Sequence, residues 1–162
     1  SQWLTLFGIR GEQVTMNTGE VQGYNTTSAQ YLAESTAFNA ADRKKIDNNI
    51  DLTALARFTP GNTRTIEVGY ARKTRSPSLY ERYTWSTGGM AMRMINWAGD
   101  GNGYVGNLDL EPEVANTLSA TFDWHDATQK KWGFKMTPYY TYINNYIDVV
   151  YIYTVTVVFI YT

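Results

Sequence analysis

The chain has 162 residues, a formal charge of −1 and no cysteine. That is room for one domain, with no disulfide framework, no thiolate metal site and no basic surplus directed at nucleic acid or an anionic membrane patch. Thirteen tyrosines and a 15% aromatic share sit beside a mean hydropathy of only −0.38. Composition leaves two β-rich readings open: a membrane β-barrel wall with aromatic girdles, or a soluble β-sandwich or lectin-like module that binds carbohydrate.

Ser1 opens directly into WLTLFGIRG with neither a basic stretch nor a cleavage site, so the start is expected to be internal to a longer precursor. No apolar run approaches the roughly 20 residues of a membrane helix. Residues 3–14 read as a strand, with Trp3, Phe7 and Ile9 on one face and Arg10 and Glu12 on the other. Residues 15–45 are polar and read as a loop with a short helix over 27–34. A second strand over 46–58 carries Ile50, Leu52, Ala54, Ala56 and Phe58 on its apolar face. Thr59-Pro60-Gly61-Asn62 is turn chemistry. A third strand over 63–73 alternates Ile66, Val68 and Tyr70 with Thr65, Glu67, Gly69 and Ala71.

The longest loop follows, over 74–115. The fourth strand, 116–124, sets Leu118, Ala120, Phe122 and Trp124 against Thr117, Ser119, Thr121 and Asp123. Residues 125–130 form a short turn containing His125, the only histidine, and 132–147 read as one fifth strand. Residues 149–162 carry no charge, and the odd positions from Tyr151 to Tyr161 look lipid-facing. Strict alternation is the mark of a strand with two different faces. Short turns at 59–62 and 125–130 alternate with long loops at 15–45 and 74–115. Outer-membrane barrels segregate their connections in this way, whereas a sandwich has no reason to. The barrel reading moves ahead.

Two stretches carry a sharper signal. Arg72 to Tyr83 reads RKTRSPSLYERY, and Asn107 to Glu113 reads NLDLEPE. In Arg75, Pro77, Leu79 and Glu81, and in Asn107, Asp109, Leu110, Pro112 and Glu113, the chain resembles the C-terminal barrel of TonB-dependent outer-membrane receptors. The resemblance covers roughly residues 46–148. It implies an all-β fold of antiparallel transmembrane strands, a portion of a barrel of about 22 strands. Residues 1–162 would be part of that single barrel domain, with the N-terminal plug and the TonB-engaging segment absent. Five or six strands are fewer than the roughly eight of the smallest barrels, and open sheet edges are not tolerated in lipid. The resemblance further implies the bacterial outer membrane, lipid and the TonB complex as partners, and active uptake of a metal or metal chelate.

Arg72, Arg75, Glu81, Arg82 and Glu113 are expected to pair near the barrel mouth. They would form a polar lining that contacts the plug or passes substrate, or, the favoured reading, an ion-pair network that orders the loop base. Met90, Met92 and Met94 alternate, so three thioethers would point one way if the segment is extended, and thioethers suit copper(I). The loop around them looks like that of copper-associated receptors, which makes copper the expected solute. Alternatively the methionines fill apolar gaps beneath Trp85 and Trp97. Tyr80, Tyr83, Trp85 and Trp97 would serve a ferric siderophore or haem instead. DGNG at 100–103 lacks the closing glutamate of a calcium loop and reads as a Gly-rich turn. No nucleophile–base arrangement or phosphate loop emerges, and neither enzyme activity nor a resident cofactor is expected.

Overall fold

A computed structural model of the chain describes residues 2–23, 25, 27–94, 99, 101–128, 130–152 and 156–161, the side chains of 92, 151–152 and 156–161 excepted. The residues fall into two compact units. One holds Ser1–Glu12, Asn49–Arg75 and Val114–Asn144; the other holds Gln13–Asn48, Ser76–Glu113 and Asn145–Thr162.

The first unit is a mostly antiparallel sheet. Its strands are β1 (Trp3–Met16), β2 (Lys45–Gly61), β3 (Arg64–Arg75), β5 (Glu113–His125), β6 (Gly133–Met136) and β7 (Tyr139–Asn144), in the order β1-β2-β3-β5-β6 with β7 also on β5. The first two strands run on into the second unit. Among the described residues the sheet does not close on itself.

Polarity is inverted relative to a soluble sheet. Ile66, Val68, Leu118, Phe122 and Trp124 are exposed, while Thr65, Glu67, Ser119 and Asp123 between them are half-buried. On β2 the buried side chains are Asp47, Asn49 and Asp51, and the alternating Ile46 and Ile50 are exposed. A water-soluble fold would bury the isoleucines. Within the sheet unit Asp51 accepts the Thr74 N–H at 2.8 Å and lies 3.5 Å from Arg10 and 3.6 Å from Lys73. Arg57 and Glu67, directly opposite in register, pair at 2.6 Å.

The turns show how local chemistry sets register. The β2–β3 turn falls at Asn62-Thr63 rather than at 59–62, because β2 runs through Pro60 to pair Gly61 with Arg64 across a bulge. A proline has no N–H to give to a ladder and is accommodated at such an irregularity. In the next turn the Asp126 carboxylate accepts the Thr128 hydroxyl and the N–H groups of Lys131, Trp132 and Thr128. These bonds hold its pKa well below the usual carboxylate range. The expected fifth strand is two pieces. Phe122 and Trp124 face Met136 and Phe134 on β6, and Leu118 faces Tyr140 on β7. Thr137-Pro138 interrupts the ladder for the same missing N–H.

The second unit contains the long connections, and they are not bare loops. The helix α1 spans Ala29–Ala40, longer than the short helix expected over 27–34, and buries Ser35 and Phe38. Its last carbonyls are closed by Arg43, which donates to Phe38 O and Asn39 O, the favourable place for a cation. Asn39 exchanges two hydrogen bonds with Val21, at 2.8 and 2.9 Å. The second connection holds α2 (Leu79–Tyr83), α3 (Gly89–Met94) and β4 (Tyr104–Val105). Gly99 and Gly101 have φ of 69° and 80°, in agreement with a Gly-rich turn. The last segment is a hairpin, β8 (Ile147–Ile152) and β9 (Thr156–Tyr161), and β9 runs parallel to β4. The segment pairs in a separate three-stranded sheet and not in the six-stranded one. A small core of Tyr104, Leu110, Ile147 and Val149 lies there. No helix among the described residues is long and apolar enough to cross a membrane, which says nothing of strands.

Candidate functional site

Residues 76–83 and 107–113 of the two signal stretches meet in the second unit, and the geometry explains their composition. Ser78 accepts the Glu81 N–H at 3.2 Å while the Glu81 carboxylate accepts the Ser78 N–H at 2.6 Å. This capping box satisfies two otherwise orphaned donors and starts α2. Pro77 before it is fully buried, and Glu81 and Arg82 are only 1% and 2% exposed.

Arg82 reaches Asp47 bidentately, at 2.8 and 2.7 Å, and its second amino group donates to Leu110 O at 2.8 Å. The planar guanidinium fork suits that task. Asn107 N–H donates to Glu81 O at 2.8 Å and Gly106 N–H to Thr84 O at 2.7 Å. Asn107 then turns the chain by accepting the Asp109 N–H at 2.9 Å, an Asx-turn. Glu113 accepts the Ile147 N–H at 2.7 Å. The two segments are thus one clasp, joined through backbone bonds and the Arg82–Leu110 O bond, and anchored to β2 by the buried Arg82–Asp47 pair.

Members of the expected mouth network have the following contacts. Arg82 has its acid at Asp47, and Glu81 serves as a helix cap. Glu113 holds β8. Arg72 and Arg75 lie in the sheet unit, where Arg72 donates to Ile50 O at 3.3 Å. Asp47 was legible only as a polar strand position, because a partner 35 residues away leaves no local pattern. The Ser78-x-x-Glu81 spacing was the signal that would have found α2.

Beside the clasp, Tyr80, Tyr83 and Trp85 come together with Leu79, Ala91 and Tyr104 around a cleft of about 360 Å³. Three of the four expected substrate aromatics are gathered; Trp97 lies outside the described residues. Tyr83 donates to Arg43 O at 2.8 Å. Burial raises its phenol pKa, with Arg82 opposing and Asp47 and Asp42 reinforcing. The methionines sit on α3 rather than on an extended segment. A helix brings positions four apart to one face, so Met90 and Met94 share a side, 73% and 69% exposed. The Met92 side chain lies outside the described residues.

One further carboxylate orders this loop. Glu34 on α1 accepts Ser86 Oγ at 2.8 Å, Thr87 N–H at 3.2 Å, the Thr87 hydroxyl, and Gln30 Nε2 at 3.2 Å. Burial alone would raise its pKa, but the Thr87, Ser86 and Gln30 bonds together outweigh it and the pKa is lowered. A depressed carboxylate stabilises its contacts above the unfolded-state pKa and loses that contribution as pH falls through the folded one. Protection of the Thr87 and Gly88 amides, measured against their intrinsic exchange rates, is therefore expected to be high at neutral pH and to fall on acidification through the depressed Glu34 pKa. In Glu34→Gln that pH step is expected to vanish. A step that persists in the variant would assign it to another group.

A family model described as TonB dependent receptor-like, beta-barrel matches residues 1–161. No curated protein and no solved structure matches the chain. Members of this family are transporters of the bacterial outer membrane that work through TonB, not enzymes. With the inverted sheet and the clasp already described, the chain belongs to the TonB-dependent receptor β-barrel family.

Proposed function

We propose that this chain supplies part of the wall and outer loops of a receptor that imports a scarce solute by TonB-coupled active transport, and that the solute is copper. The inverted polarity of β2, β3 and β5 carries the transport reading, since exposed apolar side chains alternating with half-buried polar ones fit lipid on one side and an aqueous interior on the other. Residues 1–162 would then lie within one barrel domain, whose unpaired sheet edges find neighbours in further strands. The plug and the TonB-engaging segment belong to the intact receptor. Copper is supported by the exposed thioethers of Met90 and Met94, neutral soft donors one helical turn apart. A second reading, a ferric chelate or haem, is favoured by the aromatic cleft of Tyr80, Tyr83 and Trp85.

The test is metal binding by the detergent-solubilised intact receptor, copper(I) against ferric chelates, in wild type and in Met90/Met92/Met94→Leu. Loss of the thioethers is expected to weaken copper(I) binding by about tenfold or more and to leave chelate binding unchanged. Copper binding untouched by the substitutions would move the site away from α3. Chelate binding without copper binding, lost in Trp85→Ala, would establish the second reading.

A further inference from the structure

On the face of the sheet that carries the exposed apolar side chains, Arg64, Ile66, Phe122, Trp124, Phe134 and Met136 line a shallow groove of about 370 Å³. The register makes it continuous. Phe122 lies opposite Met136 and Trp124 opposite Phe134, and His125 N–H donates to Thr63 O at 2.9 Å, which brings the start of β3 alongside the end of β5. All six residues belong to the sheet unit.

The groove is apolar along its floor and cationic at one end. Arg64 is exposed, and its side chain has no hydrogen bond or ion pair among the described residues. Arg57, the arginine of β2, is neutralised by Glu67, and both stand at odd positions, on the opposite face. The end where Arg64 stands is also the end of the two short turns. Lys130 and Lys131 are exposed in the second of these, and Trp132 packs edge-on against Trp124 at 5.4 Å. Tryptophans and cations at one level of a lipid-facing wall mark the depth of the headgroups.

From this arrangement we infer a binding site for an anionic glycerophospholipid, its acyl chain in the groove and its phosphate on Arg64. The inference rests on reading the sheet as a membrane wall. A guanidinium fork matches a phosphate geometrically as well as electrostatically. The apolar floor requires a tail, so free phosphate lacks half of the interaction. Short turns face the periplasm in outer-membrane barrels, so the lipid comes from the periplasm-facing leaflet. The neighbouring lysines favour a net negative headgroup over a zwitterionic one.

The intact receptor in bilayer discs of mixed phosphatidylglycerol and phosphatidylcholine tests this, with retained lipid counted by native mass spectrometry after transfer to detergent. Wild type is expected to retain phosphatidylglycerol selectively. Arg64→Gln should weaken that retention by about tenfold, and Arg64→Lys, which keeps the charge but not the fork, by less. Phe134→Ser should lower retention of either lipid. Arg57→Gln, on the opposite face, should leave retention unchanged. Equal retention in wild type and Arg64→Gln, or an equal loss in Arg57→Gln, would overturn the site while the wall reading stands. A receptor that stays dispersed without detergent and enters no bilayer would overturn the wall reading itself. Displacement of phosphatidylglycerol by lipopolysaccharide at equal concentration would assign the groove to the other leaflet and refute the inference as stated.

Discussion

Arg82→Met in the intact receptor is expected to release the segment 79–110 while the sheet persists. The substitution keeps the length and apolar stem of the side chain but leaves the Asp47 carboxylate buried without its cation and Leu110 O without its donor. Removing one partner of a buried ion pair costs about 3–5 kcal/mol. Both side chains are almost fully buried, so solvent screening does not soften that figure. Asp47→Asn keeps one acceptor and should cost less, about 1–3 kcal/mol. Because the loss is local, proteolysis and amide exchange report it best. Cleavage within 79–110 should rise by about two to three and a half orders of magnitude in Arg82→Met, with protection lost at position 82, Asn107 and Leu110. In the double variant Asp47→Leu/Arg82→Met most of the protection should return, since apolar replacement of a whole buried pair is often neutral. Unchanged cleavage in the single variant would show that the pair does not hold the two segments together.

The sheet was legible in the sequence and the clasp was half legible, for reasons rooted in periodicity. Alternation of Ile66, Val68 and Tyr70 with Thr65, Glu67 and Gly69 has a period of two, and any strand with unlike faces prints it. The same rule fails where the backbone itself intervenes. Pro60 shifted a turn by a bulge, and Pro138 split one expected strand into β6 and β7. Inside 74–115 no alternation exists to read, and the alternating methionines suggested a strand where Gly89–Met94 forms a helix. Three apolar residues at every second position fit one face of a strand, but two of them, four apart, also fit one face of a helix. The stretches RKTRSPSLYERY and NLDLEPE identified the family, yet their physical meaning lay in partners they do not contain. Arg82 needs Asp47 from β2, and Glu81 O needs Asn107 N–H from the other stretch. Gly106, just outside the second stretch, is one glycine among 13 and carries no local pattern that marks it.

Gly106→Ala is expected to be the most damaging glycine substitution in this connection. A Cβ at Gly106 would stand 2.8 Å from the carbonyl carbon of Arg82, 2.8 Å from Glu81 O and 2.9 Å from Arg82 O. All three are backbone atoms of α2, so no rotamer change can relieve the clash. The chain must separate, and with it the bonds from Gly106 N–H to Thr84 O and from Asn107 N–H to Glu81 O. Overpacking of this kind costs about 1–3 kcal/mol, and each lost backbone bond adds about 1 kcal/mol. Two other glycines of the connection calibrate the effect. At Gly88 a Cβ would come within 2.3 Å of the Tyr31 ring, but that ring can swing away, so Gly88→Ala should cost less. At Gly89 nothing lies within 4 Å. There Gly89→Ala should be neutral or mildly stabilising, because alanine favours the first turn of α3. Amide exchange at Asn107, measured across the three variants, should therefore rank Gly106→Ala well above Gly88→Ala, with Gly89→Ala near wild type. A Gly106→Ala receptor with wild-type protection at Asn107 would mean that α2 and the 106–107 backbone do not approach as closely as the clasp requires. An equal loss in all three would point to general loosening of the connection rather than to this contact.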